Sequence, residues 1–251
     1  MTVYIRGIKY IPSTYAKTTQ SASQLAEKYI REWDEKRFTL IKEEAKKEIA
    51  PSICFSRDIG VGAHEIATIL AEKIGYRVVD REIVEYIADE AKLSEKTVAL
   101  FDERYPGTLR EFFALALGER AFIKNDYTRH LFSLVFSIAG LGPTIFVGRG
   151  AHLLLPRDRI LAVRIICSRS YRIERLKRVL NIEEKEAESA LEEIDKEQRD
   201  FYRKVYGKKD ASSPYDFDIV INYDYVREPR WASEIIEYIF KKRFGAEIAE
   251  T

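Results

Sequence analysis

Five short apolar runs punctuate this chain: Ser52 to Phe55, Arg77 to Val79, Thr144 to Val147, Ile160 to Cys167 and Phe217 to Ile221. The segments between them are helical in period and long enough for crossover connections. The pattern predicts an α/β chain with a five-stranded parallel sheet covered by helices on both faces. In the fourth run only Arg164 interrupts the apolar residues, as expected of a strand buried on both sides.

The stretch from Ser52 to Ile66 reads strand, glycine loop, helix. Glycines stand at 60 and 62, and Ile66, Ile69, Leu70 and Ile74 then recur at helical spacing before Gly75. This order presents backbone N–H groups and a helix N-terminus to a phosphate. A full phosphate-loop motif continues with Lys and Ser or Thr, whereas Ala63 and His64 follow Gly62 here. Asp80 ends the second strand, on the side where open parallel sheets place their ligands. Gly148, Arg149 and Gly150 directly follow the third strand. A charge between two glycines at the end of a buried strand is poorly explained by packing.

Residues 1–50 read as an N-terminal extension. An irregular arm to about residue 19 is followed by one long or broken amphipathic helix from about Ser21 to Ile49. Its apolar stripe is read as packing on the main domain, with a homodimer contact as the alternative. Residues 51–251 form the main domain. Asp80 to Asp126 is a helical block broken at Pro106 and Gly107, and a further helix runs from about Tyr127 to Ala139. Asn181 is expected to cap a helix, with Glu184 completing a capping-box spacing. A closing helix spans Trp231 to Phe244.

With 42 basic and 41 acidic residues the net charge is +1, so no general attraction to nucleic acid or membrane is expected. No apolar stretch reaches membrane-span length. Cys54 and Cys167 lie in apolar runs and read as core thiols, and no Cys/His spacing suggests a metal site. The expected setting is soluble and cytoplasmic.

Phosphoryl transfer depends on positioning and on neutralising charge. The candidate cradle is Gly60, Val61, Gly62, Ala63 and His64, and the candidate cations are Arg149, Arg169, Arg175, Arg178, Arg199 and Arg203. Arginine suits the role through its planar, permanently charged fork. Each feature has a plainer reading: the glycines as a structural turn, the helical arginines as a solvated face with pairs such as Glu174–Arg178, and His130 and His152 as satisfied by local hydrogen bonds.

Four linked motifs carry a resemblance. They are Ser-Arg-Asp-Ile-Gly-Val-Gly-Ala-His-Glu-Ile-Ala at 56–67, Val-Asp-Arg-Glu-Ile-Val at 79–84, Phe-Val-Gly-Arg-Gly-Ala at 146–151 and Tyr-Asp-Phe-Asp-Ile-Val-Ile-Asn at 215–222. In this order and spacing the chain resembles the cytidylate kinase-like family, a bacterial branch of the nucleoside monophosphate kinases; Asp126 to Leu131 adds to the likeness. The resemblance implies a P-loop NTPase fold of the adenylate kinase type, with ATP and Mg2+ as cofactors and nucleotides as small-molecule partners. It puts ATP phosphates on Gly60 to His64 and an arginine-bearing lid at about 181–206. Asp80 would orient the acceptor and Arg149 hold its phosphate. Arg199, with Arg175 and Arg203, would bridge donor and acceptor.

Against the ordinary cytidylate kinases two positions depart. Ala63 takes the place of the catalytic lysine, for which Arg57 or a lid arginine is the candidate substitute. The region Glu82 to Ala88 lacks the acceptor-phosphate arginine that usually follows the second strand. The first functional expectation is therefore a nucleoside monophosphate kinase acting on CMP or dCMP. The alternatives are a nucleotide-binding regulatory module and a kinase for another small acceptor.

Overall fold

A computed structural model of the chain describes residues 4–5, 8–9, 24, 28, 49–81, 84, 126–209 and 212–248. Most of the expected N-terminal helix, and with it the dimer contact, lies outside these residues, as does most of the helical block between Asp80 and Asp126. The arm expected to be irregular carries a short antiparallel pair, β1 (Tyr4–Ile5) with β2 (Ile8–Lys9).

The five apolar runs form one parallel sheet. Its strands are β3 (Ser52–Arg57), β4 (Arg77–Asp80), β5 (Thr144–Val147), β6 (Ile160–Ile166) and β7 (Ile219–Asn222), in the spatial order β4-β5-β3-β6-β7. Side chains alternate between the two faces, so each strand feeds two cores. Ile53, Phe55, Ile145, Val147, Leu161, Val163 and Ile165 pack beneath α1 (Ala63–Ile74) and the long closing helix, Pro229–Ile248. Cys54, Phe146, Ile160 and Ala162 face the opposite way, against α2 (Asp126–Leu141). Both faces of the central strands are apolar, which is why their sequences run without polar alternation.

Two helices follow β6: α3 (Arg169–Leu180) and α4 (Glu184–Tyr206). They share a small core of Ile173, Leu176, Ile182, Ala187 and Leu191. Further along α4, Tyr202 and Tyr206 are buried in the α2-side core.

Asn181 does not begin α4. It ends α3 in the left-handed region at φ 52°, its N–H donating to the Lys177 carbonyl. Asparagine serves both positions, because its short side chain suits caps and its backbone tolerates the left-handed conformation. The capping box is formed two residues later by Glu183 and Glu186. The Glu174 carboxylate likewise meets Lys177, at 2.7 Å, instead of Arg178.

The fourth motif fastens the sheet. The Asp218 carboxylate accepts from the Ala162 N–H at 2.7 Å and from both terminal nitrogens of Arg157, at 2.8 and 2.9 Å. Desolvation pushes this carboxyl up, but the Arg157 and Ala162 hydrogen bonds prevail and hold it below its ordinary range. Asn222 caps α5 (Tyr223–Val226) by accepting from the Asp224 N–H. Asp224 in turn accepts from the N–H and hydroxyl of Ser168, the residue that caps α3. The closing helix Pro229–Ile248 is thus α6. No described helix is long and apolar enough to cross a membrane.

Candidate active site

The carboxyl ends of β3, β4 and β5 open on one side of the sheet, and the chemistry-bearing residues gather there. After β3 the chain turns through Asp58–Gly62, with Gly60 and Gly62 both at φ 90°, a conformation that favours glycine. Gly62 caps α1 without a side-chain hydrogen bond. Val61 and Ala63 bury their side chains in the α1–α6 core, which leaves the loop's main chain to face a ligand.

Two long-range braces hold the loop. Arg164, opposite Ser56 in the β3–β6 register, donates to the Ser56 hydroxyl at 2.9 Å and to Asp58 at 2.6 Å. Arg172 of α3 donates through Nε to the Ile59 carbonyl at 2.7 Å and pairs with Asp195 of α4. Arg175, one turn on, lays its guanidinium against Gly62: a Cβ there would lie 2.9 Å from Cζ. Glu65 in the first turn of α1 is its ionic partner at 3.5 Å.

Asp80 is buried at the end of β4, and His64 Nε2 stands 3.4 Å from its Oδ2. The Thr68 hydroxyl donates to the His64 carbonyl at 2.9 Å and lies 3.4 Å from Nδ1. His64 therefore bridges the glycine loop to β4.

After β5, Gly148, Arg149 and Gly150 lie at φ 92°, 51° and 69°. Such a conformation is uncommon for arginine and clusters at functional sites. The Arg149 carbonyl accepts from the Tyr206 hydroxyl, and its guanidinium lies 4.3 Å from the Phe201 ring centroid. The Arg57 guanidinium approaches Gly148, where a Cβ would meet it at 3.3 Å. Burial, then the charges of Arg81 and Arg57, push the Arg149 guanidinium down to about 9, still cationic at neutral pH. Arg81, directly after Asp80, stands 3.7 Å from Glu197 of α4.

The structure thus gathers Asp80, Arg149, Arg57 and the Gly60–His64 loop, with Arg175 at the loop rim. Arg199 is exposed on α4, and among the described residues no acid pairs with it. Arg169 pairs with Glu192 at 2.9 Å and Arg203 pairs with Asp200, while Arg178 is exposed. Sequence reading missed Arg81, Asp58 and Phe201. Arg81 had a usable signal in its place directly after a strand-ending aspartate. The partner of Asp58 is visible only once β3 and β6 are in register.

His152, expected to be satisfied locally, leaves Nε2 buried with no hydrogen-bond partner and packs 4.8 Å from Phe217, centroid to centroid.

Against this geometry the comparison with known families is decisive. The family model described as cytidylate kinase-like matches residues 52–225, from the first residue of β3 into α5. The chain belongs to the cytidylate kinase-like family. No curated protein sequence matches it. Among solved structures, an uncharacterized protein from Eubacterium ventriosum aligns with a TM-score of 0.59 at 20% identity, covering 78% of this chain and 99% of the other. A shikimate kinase from Bacteroides thetaiotaomicron aligns at 0.37 and 15% identity over 76% and 96% of the two chains. A gluconokinase from Sinorhizobium meliloti aligns at 0.39 and 14% over 78% and 99%. The cytidylate kinase-like chain has a P-loop kinase fold, and its family implies use of ATP, usually with Mg2+.

Proposed function

We propose that this protein transfers the γ-phosphoryl group of ATP to a nucleoside monophosphate, with CMP or dCMP as the favoured acceptor. One observation carries the reading. Three neighbouring strands end in arginines: Arg81 after β4, Arg149 after β5 and Arg57 at the end of β3. Like charges repel, and after burial, the larger cause, the charges of Arg81 and Arg57 add to the lowering of the Arg149 guanidinium. A phosphomonoester dianion is the ligand that would relieve it, because arginine forks bind phosphate oxygens bidentately.

The donor end fits nucleotide phosphates through its main chain. The glycine loop and the α1 N-terminus offer N–H groups, and Arg175 stands where its guanidinium would meet the transferring phosphate in place of the lysine absent at position 63. Asp80 orients the acceptor and is itself held by His64. Among the described residues no three His, Cys, Asp or Glu side chains converge on one point. Mg2+ would accordingly arrive on the nucleotide phosphates, the usual mode for this ion. When bound, it would neutralise phosphate charge. No general base is needed, because a monophosphate oxygen is already anionic. Arg199, exposed on α4, is assigned to nucleotide-induced closure of the 181–206 region.

Ala63 favours a second reading, a nucleotide-binding module without turnover. An ADP-release assay across CMP, dCMP, UMP, AMP and shikimate-like acceptors separates the two, with Arg149→Ala as control. Turnover with a monophosphate that is abolished in Arg149→Ala is the expected result. ATP binding without turnover on any acceptor establishes the second reading, and turnover indifferent to Arg149→Ala removes the acceptor-site assignment.

A further inference from the structure

α4 reaches both the glycine loop and the turn that carries Arg149. Asp195, Gln198, Tyr202 and Tyr206 follow one another at three- and four-residue steps along one side of the helix, and Phe201, three residues after Gln198, flanks them. Asp195 pairs with Arg172, which holds the Ile59 carbonyl of the glycine loop. The Gln198 amide donates to the Arg57 carbonyl at 3.3 Å, where the loop leaves β3. The Phe201 ring lies under the Arg149 guanidinium, and the Tyr206 hydroxyl donates to the Arg149 carbonyl. The first two contacts grip the donor loop and the last two grip the acceptor turn.

We propose that Phe201 is a positioning residue for Arg149, and that α4 links it to the glycine loop, so that a nucleoside triphosphate on the loop sets the placement of the acceptor arginine. The proposal rests on the functional reading above for what occupies the loop. Its physical basis is that a ligand shifts a structure only through contacts that differ between two arrangements. The loop's own main chain carries such contacts, at the Ile59 and Arg57 carbonyls. When phosphate draws the loop's N–H groups toward it, those carbonyls move with the chain, and Arg172 and Gln198 pass the movement to α4. Phe201 lies one helical turn further along. Its ring, not its bulk, is what Arg149 senses, because the attraction comes from the negative face of the π-system.

That distinction makes the idea testable without knowing the acceptor. Arg149 is labelled with phenylglyoxal and quantified by mass spectrometry, with and without a non-hydrolysable ATP analogue, in the wild type, Phe201→Leu and Phe201→Tyr. Leucine keeps an apolar side chain without the ring, and tyrosine keeps the ring. The analogue is expected to change the Arg149 labelling rate about fivefold in the wild type and in Phe201→Tyr, and less than about twofold in Phe201→Leu. Analogue affinity, measured by calorimetry, stays within about twofold across all three proteins, which separates lost coupling from lost binding. An unchanged labelling rate in a wild type that binds the analogue overturns this inference and leaves the functional reading standing. So does a nucleotide effect that survives in Phe201→Leu, since the analogue would then be shielding Arg149 directly. A wild type that binds no analogue overturns the functional reading and this inference with it.

Discussion

The glycine loop after β3 and the Gly148–Gly150 turn after β5 are both left-handed backbone at the ends of adjacent strands, yet they are built in opposite ways. In the loop, two of the nearby cations are committed to structure, Arg164 to Asp58 and Arg172 to the Ile59 carbonyl, and Arg175 stands at the rim against Gly62. Val61 and Ala63 turn into the core, so what the loop itself offers is main chain, with the Arg175 guanidinium beside it. In the turn, the exceptional residue is itself an arginine, and two further strand ends bring Arg57 and Arg81 beside it. A glycine-rich main chain with one rim arginine at one end and three arginines at the other is the division that the proposed donor and acceptor roles require.

The largest test attacks the loop's bracing. Arg164→Met leaves the Asp58 carboxylate with only the Cys167 N–H, and because that carboxylate is partly exposed the loss should be about 3 kcal/mol, the low end for a broken buried pair. Chemical denaturation should register most of that. A loss below about 1 kcal/mol would mean the loop is held by its backbone bonds and not by charge.

Arg175→Ala comes next. Removing a charge-assisted contact to the donor is worth about 1.5–3 kcal/mol, or roughly 10- to 100-fold in kcat/KM for ATP, with acceptor KM nearly unchanged. If acceptor KM rises instead, the boundary between the two ends is drawn in the wrong place.

His152, two residues past the Gly148–Gly150 turn, probes that end of the site by pH. Burial lowers its folded-state value to about 3, from an ordinary value near 6.5. Between those values the unfolded chain binds the extra proton, so stability is highest above about pH 6.5 and falls as the pH drops toward 3. From pH 7 to pH 5 the loss should be about 2 kcal/mol, and His152→Gln should remove that part of the slope in parallel denaturation curves. An identical slope in the variant means the histidine is solvated. The smallest effect belongs to Arg199→Ala: stability should change by less than about 0.5 kcal/mol, because the residue is exposed and lacks an ion-pair partner among the described residues. A large drop in turnover in this otherwise stable variant would show that closure carries Arg199 into the site.

The strands were legible because parallel strands buried on both faces leave continuous apolar runs, and each run was found within two residues of its observed limits. Asp80 and Arg149 were legible because a charge at the end of such a run has no packing reason to be there. Asp58–Arg164, 106 residues apart, was not, since no local pattern announces a partner that only strand register supplies. Phe201 looked like one more apolar position of an amphipathic helix, and its neighbour across the site is 52 positions away in the chain. Asn181 misled for a chemical reason, as the same side chain suits a helix start and a left-handed stop.

Gly150 and Tyr206 have a consequence for how this chain can change. A Cβ at position 150 would fall 2.6 Å from the Tyr206 ring, and the backbone there, at φ 69°, already disfavours a side chain. A side chain at position 150 has to displace or remove the ring at 206, and either change disturbs the hydroxyl that secures the Arg149 carbonyl. Positions 150 and 206 are therefore coupled through the seating of Arg149, and related sequences should tend to change them together.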